Sequence, residues 1–197
     1  MNEDKKIAVD IVLLLPQEII DKCVFVNSKL DNSDYVSFND GYNPHITLGM
    51  GCVDVDKLEN FKNEIATISK NTQQLQLTIV EFSGDNFFGF KIGKNQRALD
   101  LHSSIMKVLK DMSACIEAKP EMFYESEKVR YDGGLINWVS NFITEHSNDK
   151  YDPHISIGKG ERPHIDFPIQ FFAKKIGIFH LGSHGTCKEK LAEFDLK

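Results

Sequence analysis

A ten-residue phrase occurs twice in this chain: Tyr-Asn-Pro-His-Ile-Thr-Leu-Gly-Met-Gly from Tyr42 to Gly51, and Tyr-Asp-Pro-His-Ile-Ser-Ile-Gly-Lys-Gly from Tyr151 to Gly160. Six positions are identical, three are close swaps, and only Met50 against Lys159 differs in kind. The copies lie near the quarter and three-quarter marks of 197 residues, so each half delivers one. Such a duplication constrains the fold more than any other feature of the chain. It predicts two similar lobes facing one another around a pseudo-twofold axis.

The rest of the chain reads as mixed helix and strand. Ile7 to Leu15 is a buried strand stopped by Pro16, and Ile19, Ile20, Cys23 and Val24 then recur at helical spacing. Asp54 or Asp56 can cap a helix carrying Leu58, Phe61, Ile65 and Ile68. Leu75–Phe82 and Phe87–Ile92 read as strands joined by a turn at residues 83–86. Asn95–Met112 is the strongest helix, and Leu135–Glu145 a shorter one. A strand from Ile169 to Leu181 and a last strand toward Leu196 complete the order, with a Gly-rich loop at residues 182–185.

Each Pro-His opens an apolar stretch that reads as a strand, with side chains alternating between its faces. His45, Thr47, Gly49 and Gly51 are expected on one face, and His154, Ser156, Gly158 and Gly160 on the equivalent face. Ile46, Leu48, Met50, Ile155 and Ile157 would then point toward helices. Each strand offers an imidazole, a hydroxyl and two bare positions where a ligand can approach the backbone.

That inventory matches phosphodiester cleavage. The reaction needs one group to take a proton from the nucleophile and another to give one to the leaving oxygen. Histidine suits both, since its pKa lies near 6.5 and each transfer contributes about 10²–10⁴-fold. Thr47 and Ser156 would donate hydrogen bonds to phosphate oxygens. Either histidine can be the base, depending on how the substrate lies. Metal ligation is the competing use of histidine, but no acidic residue recurs beside both copies, Asn43 standing where Asp152 stands. The reading is therefore metal-independent, with no cofactor. His102/Ser104 and His184/Thr186 share the His-x-Ser/Thr spacing without the matching surroundings.

A net charge of −6 argues against binding along duplex nucleic acid, which needs a basic surface, but is compatible with a small nucleotide in a cleft. Cys23, Cys52, Cys115 and Cys187 are scattered, a pattern that suits reduced thiols in the cytoplasm. The interrupted apolar run Ile7–Leu15 is too short to span a membrane, so neither an anchor nor a signal peptide is expected.

Two His-x-Thr/Ser motifs, one per half and each in an apolar strand, resemble the two-histidine (2H) phosphoesterase superfamily. That group includes the RNA 2′,3′-cyclic phosphodiesterases once called 2′-5′ RNA ligases, enzymes that degrade 2′-5′ oligoadenylates, and phage enzymes that cleave cyclic oligonucleotide signals. The resemblance implies an α+β bilobal fold over residues 1–197, a mostly antiparallel sheet with flanking helices in each lobe, and a groove between them. It implies catalysis by His45 and His154, phosphate binding by Thr47 and Ser156, and no metal. The implied substrate is a small nucleotide or an RNA end bearing a 2′,3′-cyclic phosphate, handled by a monomer. Degradation of 2′-5′-linked or cyclic oligonucleotide signals is the alternative, and a nucleotide-binding module without turnover is a further one. The irregular and helical stretch around residues 113–150 looks longer than the connection in compact members, and could form a lid or widen the groove.

Tyr42 and Tyr151 stand three residues before each histidine, where they either stack on a base or plug the strand ends. Arg130 could bring a charge over the groove or be a solvated loop residue. Trp138 and Phe88/Phe90 read as core, and Asp10 stands alone in an apolar strand without an explanation.

Overall fold

In chain order the elements are β1 (Lys6–Leu14), α1 (Gln17–Asn27), β2 (His45–Asp54), α2 (Leu58–Asn71), β3 (Leu75–Gly84), β4 (Phe87–Ile92), α3 (Gln96–Met112), α4 (Ser126–Val129), α5 (Gly133–Glu145), β5 (His154–Lys159), β6 (Ile169–Ala173), β7 (Lys175–Leu181) and β8 (Cys187–Asp195), with short 3₁₀ turns between. The computed structural model describes residues 5–30, 36–112 and 117–197; Cys115 and the start of the 113–150 stretch lie outside the described residues.

The strands form two four-stranded antiparallel sheets, ordered β2-β1-β7-β8 and β5-β4-β3-β6. Each motif strand is the edge of its sheet and pairs with a central strand, β1 or β4. The lobes are not successive halves of the chain. The second sheet is built from the middle of the sequence, inserted between β2 and β7 of the first.

One expected strand proves to be two. The run from Ile169 to Leu181 breaks at Lys174, β6 joining β3 in one sheet and β7 joining β1 in the other. The Lys174-Lys175 pair interrupts the apolar pattern at that point, but nothing in the pattern says which sheet receives each half. The expected cap at Asp54 or Asp56 is also absent: α2 has no side-chain cap bond, and the Asp54 carboxylate is paired with Lys6 and Lys57 instead. Cys23 and Cys187 are free and buried, but Cys52 is disulfide-bonded, which corrects the expectation of reduced thiols throughout. Spacing alone does not reveal which thiols meet in space. Among the described residues no helix is long and apolar enough to cross a membrane.

Helix α3 buries Ala98, Leu101, His102, Ile105, Met106 and Leu109, a stripe at the helical repeat. Asn95 caps it, accepting from the Ala98 N–H at 3.0 Å. Each fully buried Leu or Ile contributes about 1.5–3 kcal/mol, so this stripe anchors the helix. Its target lies in the other lobe: α3 follows β4 but packs on β2, while α1 follows β1 and reaches β5. The helices are exchanged between sheets, which locks the two motif strands into one body.

Candidate active site

Both motif strands carry the same irregularity. In β2, Thr47 pairs with Val12 and Gly49 with Ile11, leaving Leu48 as an extra residue. In β5, Ser156 pairs with Gly89 and Gly158 with Phe88, leaving Ile157 extra at the equivalent position. A bulge of this kind reverses the facing of everything beyond it. The register places Leu14, Val12 and Asp10 beside His45, Thr47 and Met50 on one face. The expectation for Gly49 and Gly51 therefore fails by one residue. Gly49 points at α3, where a Cβ would lie 2.8 Å from Leu109 Cδ1. Its missing side chain admits a helix, not a ligand.

Buried helix side chains satisfy both bulges. His102 Nδ1 of α3 donates to the Leu48 carbonyl at 2.7 Å, and Asn27 Nδ2 of α1 donates to the Ile157 carbonyl at 2.8 Å. His102 Nε2 accepts from the Asn148 N–H at 2.9 Å, and burial holds its pKa below the ordinary value, so the ring is neutral. Tyr151 stacks on His102 at 3.8 Å and 4°, and its hydroxyl donates to the Thr47 carbonyl at 2.7 Å. Burial pushes that phenol's pKa far up. A residue of the second motif thus clamps the strand of the first. Tyr151→Phe should cost about 1–3 kcal/mol by stranding the Thr47 carbonyl, or about 2–4 °C of melting temperature per kcal/mol. An unchanged melting curve would remove the clamp from the account.

The two copies open on one cavity of about 470 Å³, lined by His45, Thr47, His154 and Ser156 together with Tyr42 and Tyr151. Helix α5 supplies one wall through Leu135, Trp138 and Phe142, and the turn at residues 184–186 supplies another. Asp132 caps α5, accepting from the Leu135 N–H at 2.9 Å, and lies 3.7 Å from His184. Arg130 is not among the lining residues; it is exposed, 3.5 Å from Glu127. The cation that lines the cavity, among the described residues, is Lys150. Tyr42 donates to Glu125 at 3.3 Å and lies under the Lys188 ammonium, 4.9 Å from the ring centre.

The two imidazoles are held alike. His45 Nδ1 lies 2.8 Å from the Asn43 carbonyl, and His154 Nδ1 lies 2.8 Å from the Asp152 carbonyl. A carbonyl accepts only, so each Nδ1 is protonated and each Nε2 carries the variable proton. Beyond that the environments diverge. His154 is exposed, whereas the His45 side chain is 14% exposed with Nε2 at 3.3 Å from Asp10 Oδ2. The same oxygen accepts from Thr47 Oγ1 at 3.0 Å and lies 3.7 Å from Cys187 Sγ. Burial pushes the Asp10 carboxyl up, its hydrogen bonds opposing. Burial also disfavours charge on His45, but the hydrogen bond and charge of Asp10 outweigh it and raise its pKa. Both members of the pair therefore hold a proton to higher pH than they would in water.

Sequence reasoning missed Trp138, 41% exposed on the cavity and stacked on His146 at 3.5 Å, because its helical spacing looked like core. It also missed Lys150. Asp10 did leave a signal, as the lone charge in an apolar strand.

No protein-family model matches the chain, and no curated protein matches it. Solved structures do. E. coli LigT complexed with NADP⁺ matches at 13% identity and TM-score 0.59, covering 98% of this chain and 99% of that one. TT0787 of Thermus thermophilus matches at 12% and 0.57, covering 96% and 98%. A structure described as a phosphoesterase matches at 12% and 0.59, with the same coverage. At such identities the likeness is one of fold, and it extends over nearly the whole chain. The α+β bilobal architecture implied by the motif resemblance is the one this chain adopts.

Proposed function

We propose that this chain is a two-histidine phosphoesterase, cleaving a phosphodiester in a small nucleotide or at an RNA end, with a 2′,3′-cyclic phosphate as the favoured substrate. The observation that carries the reading is the matched pair. His45 and His154 sit on bulged strands of two sheets, are each anchored at Nδ1 by the carbonyl two residues back, and line one cavity. A cavity of about 470 Å³ suits a mononucleotide or dinucleotide. E. coli LigT, of like fold, has been solved with 3′-AMP, phosphate and ATP, which supports a nucleotide ligand here.

In this mechanism His154, the exposed imidazole, takes a proton from water as its oxygen attacks phosphorus. His45, kept protonated beside Asp10, gives its Nε2 proton to the departing ribose oxygen as the P–O ester bond breaks. Ser156 donates to a non-bridging oxygen as charge builds, and Thr47, whose O–H rests on Asp10 Oδ2, turns it to the other when substrate binds. Lys150 adds a positive charge at the rim. The expected kcat/KM profile is bell-shaped. Its alkaline limb falls above the ordinary histidine value, since Asp10 holds the acid protonated to higher pH. EDTA should leave the rate unchanged. A panel of 2′,3′-cyclic nucleotides tests the substrate, and no turnover on any phosphodiester would reduce the protein to a binding module.

One observation favours a second substrate class. Trp138 on α5 and Phe87 on β4 are both exposed on the cavity, giving aromatic surface on separate elements for two bases. That arrangement suits a 2′-5′-linked or cyclic oligonucleotide, and such compounds belong in the same panel. For either class Trp138→Ala should raise KM about tenfold with kcat little changed, as expected for one lost base stack. An unaltered KM would take Trp138 out of the binding surface.

A further inference from the structure

Three chemically distinct donors converge beneath the cavity from three strands: Asp10 of β1, His45 of β2 and Cys187 of β8. His45 Nε2 is 3.3 Å from Asp10 Oδ2, Cys187 Sγ is 3.7 Å from the same oxygen, and Cys187 Sγ is 3.7 Å from His45 Nε2. Zinc bound tetrahedrally at about 2.0–2.3 Å from nitrogen, oxygen and sulfur separates those ligands by roughly 3.3–3.6 Å. The triangle is therefore close to the size the ion requires. Independently, Asp10 Oδ1 is fully buried with no hydrogen-bond partner among the described residues. An enclosed, half-satisfied carboxylate is costly, and a cation held on its other oxygen would offset the buried charge.

The surroundings fit as well. The Asn43 carbonyl fixes Nδ1 of His45 as the protonated nitrogen, which turns Nε2 toward the triangle, as it does for metal-bound histidines. A thiolate, an imidazole and a carboxylate together select zinc or cobalt over magnesium or calcium. Entry is from the cavity, which His45 and Thr186, the neighbour of Cys187, both line.

We propose that Asp10, His45 and Cys187 form a site for a thiophilic divalent cation, with its fourth position open to the cavity, and that occupancy inhibits the enzyme. Binding forms bonds from Oδ2, Nε2 and Sγ to the ion. It releases the thiol proton and any proton on Nε2 to solvent. The inhibitory consequence rests on the reading of His45 as proton donor, because the ion takes the lone pair that would carry the proton.

The test is a titration of the chelator-treated protein, its Cys52 disulfide intact, with cobalt(II). The wild type should bind one equivalent with a near-ultraviolet thiolate-to-cobalt band and the visible absorption of a tetrahedral ion. Cys187→Ser should lose the ultraviolet band and weaken binding at least tenfold, Asp10→Asn should weaken binding while keeping the band, and Cys23→Ser should behave as wild type. Should Cys187→Ser fail to fold, Cys187→Ala serves, with circular dichroism as the control. An absent thiolate band in the wild type, or one unaffected at Cys187, would overturn the site. Zinc should also inhibit phosphodiester hydrolysis in the wild type, and at least tenfold less effectively in Cys187→Ser. A normal cobalt spectrum without zinc inhibition would leave the site standing and remove His45 from the reaction, whereas a missing spectrum would remove the site alone.

Discussion

Alanine at His154 is expected to lower kcat about 10²–10⁴-fold while leaving the protein folded, since this ring is exposed and its loss strands no buried group. His45→Ala should lose activity on the same scale but with a second effect. Asp10 is enclosed, and removing His45 leaves it with fewer partners, so stability should fall by about 1–3 kcal/mol. Thermal unfolding alongside steady-state kinetics separates the two losses. The double variant should be little worse than either single one, because groups that act as a unit are not additive. Turnover surviving in both single variants would defeat the two-histidine mechanism. The asymmetry in stability makes His154→Ala the cleaner experiment.

Asn27→Ala is expected to be among the most destabilising single changes in the chain. The buried amide donates to the carbonyls of Ile157 and Val36 at 2.8 and 3.1 Å and accepts from the Phe38 N–H at 3.0 Å. Removing it strands several enclosed backbone groups, at a cost of about 2–4 kcal/mol. For a chain of this size that is roughly 5–15 °C of melting temperature. The bulge at Ile157 orients Ser156 and His154, so kcat should fall as well, although Asn27 is not among the cavity-lining residues. His102→Ala should do the same to the first copy through Leu48. Unfolding by heat or urea, with activity of the surviving fold, checks both. A wild-type midpoint in Asn27→Ala would mean the bulged strand does not depend on its cap.

Much of the site could be read from residues because it is local. Pro-His-Ile-Thr and Pro-His-Ile-Ser carry their own strand start, their own hydroxyl two residues on, and a carbonyl two residues back for Nδ1. The helical stripe of α3 and the hairpin of β3 and β4 follow from periodicity in the same way. What failed did so where distance in sequence matters. Alternation predicted the facing of Gly49, but one extra residue in the pairing with β1 turned Met50 to the site instead. The split of residues 169–181 left one mark, the Lys174-Lys175 pair at the break, but no local signal that the two halves join different sheets. Trp138 looked like core because half of a cavity wall has the composition of one.

The sequence by itself therefore determined the duplicated motif, most of the strands and helices, and the expectation of two lobes, because these rest on neighbours within a few residues. Only the tertiary structure decided that α1 and α3 change lobes, that both bulges are capped from those helices, and that Asp10 and Cys187 meet His45. Those contacts join residues far apart along the chain. Pairing register and helix packing, which no local pattern encodes, set them.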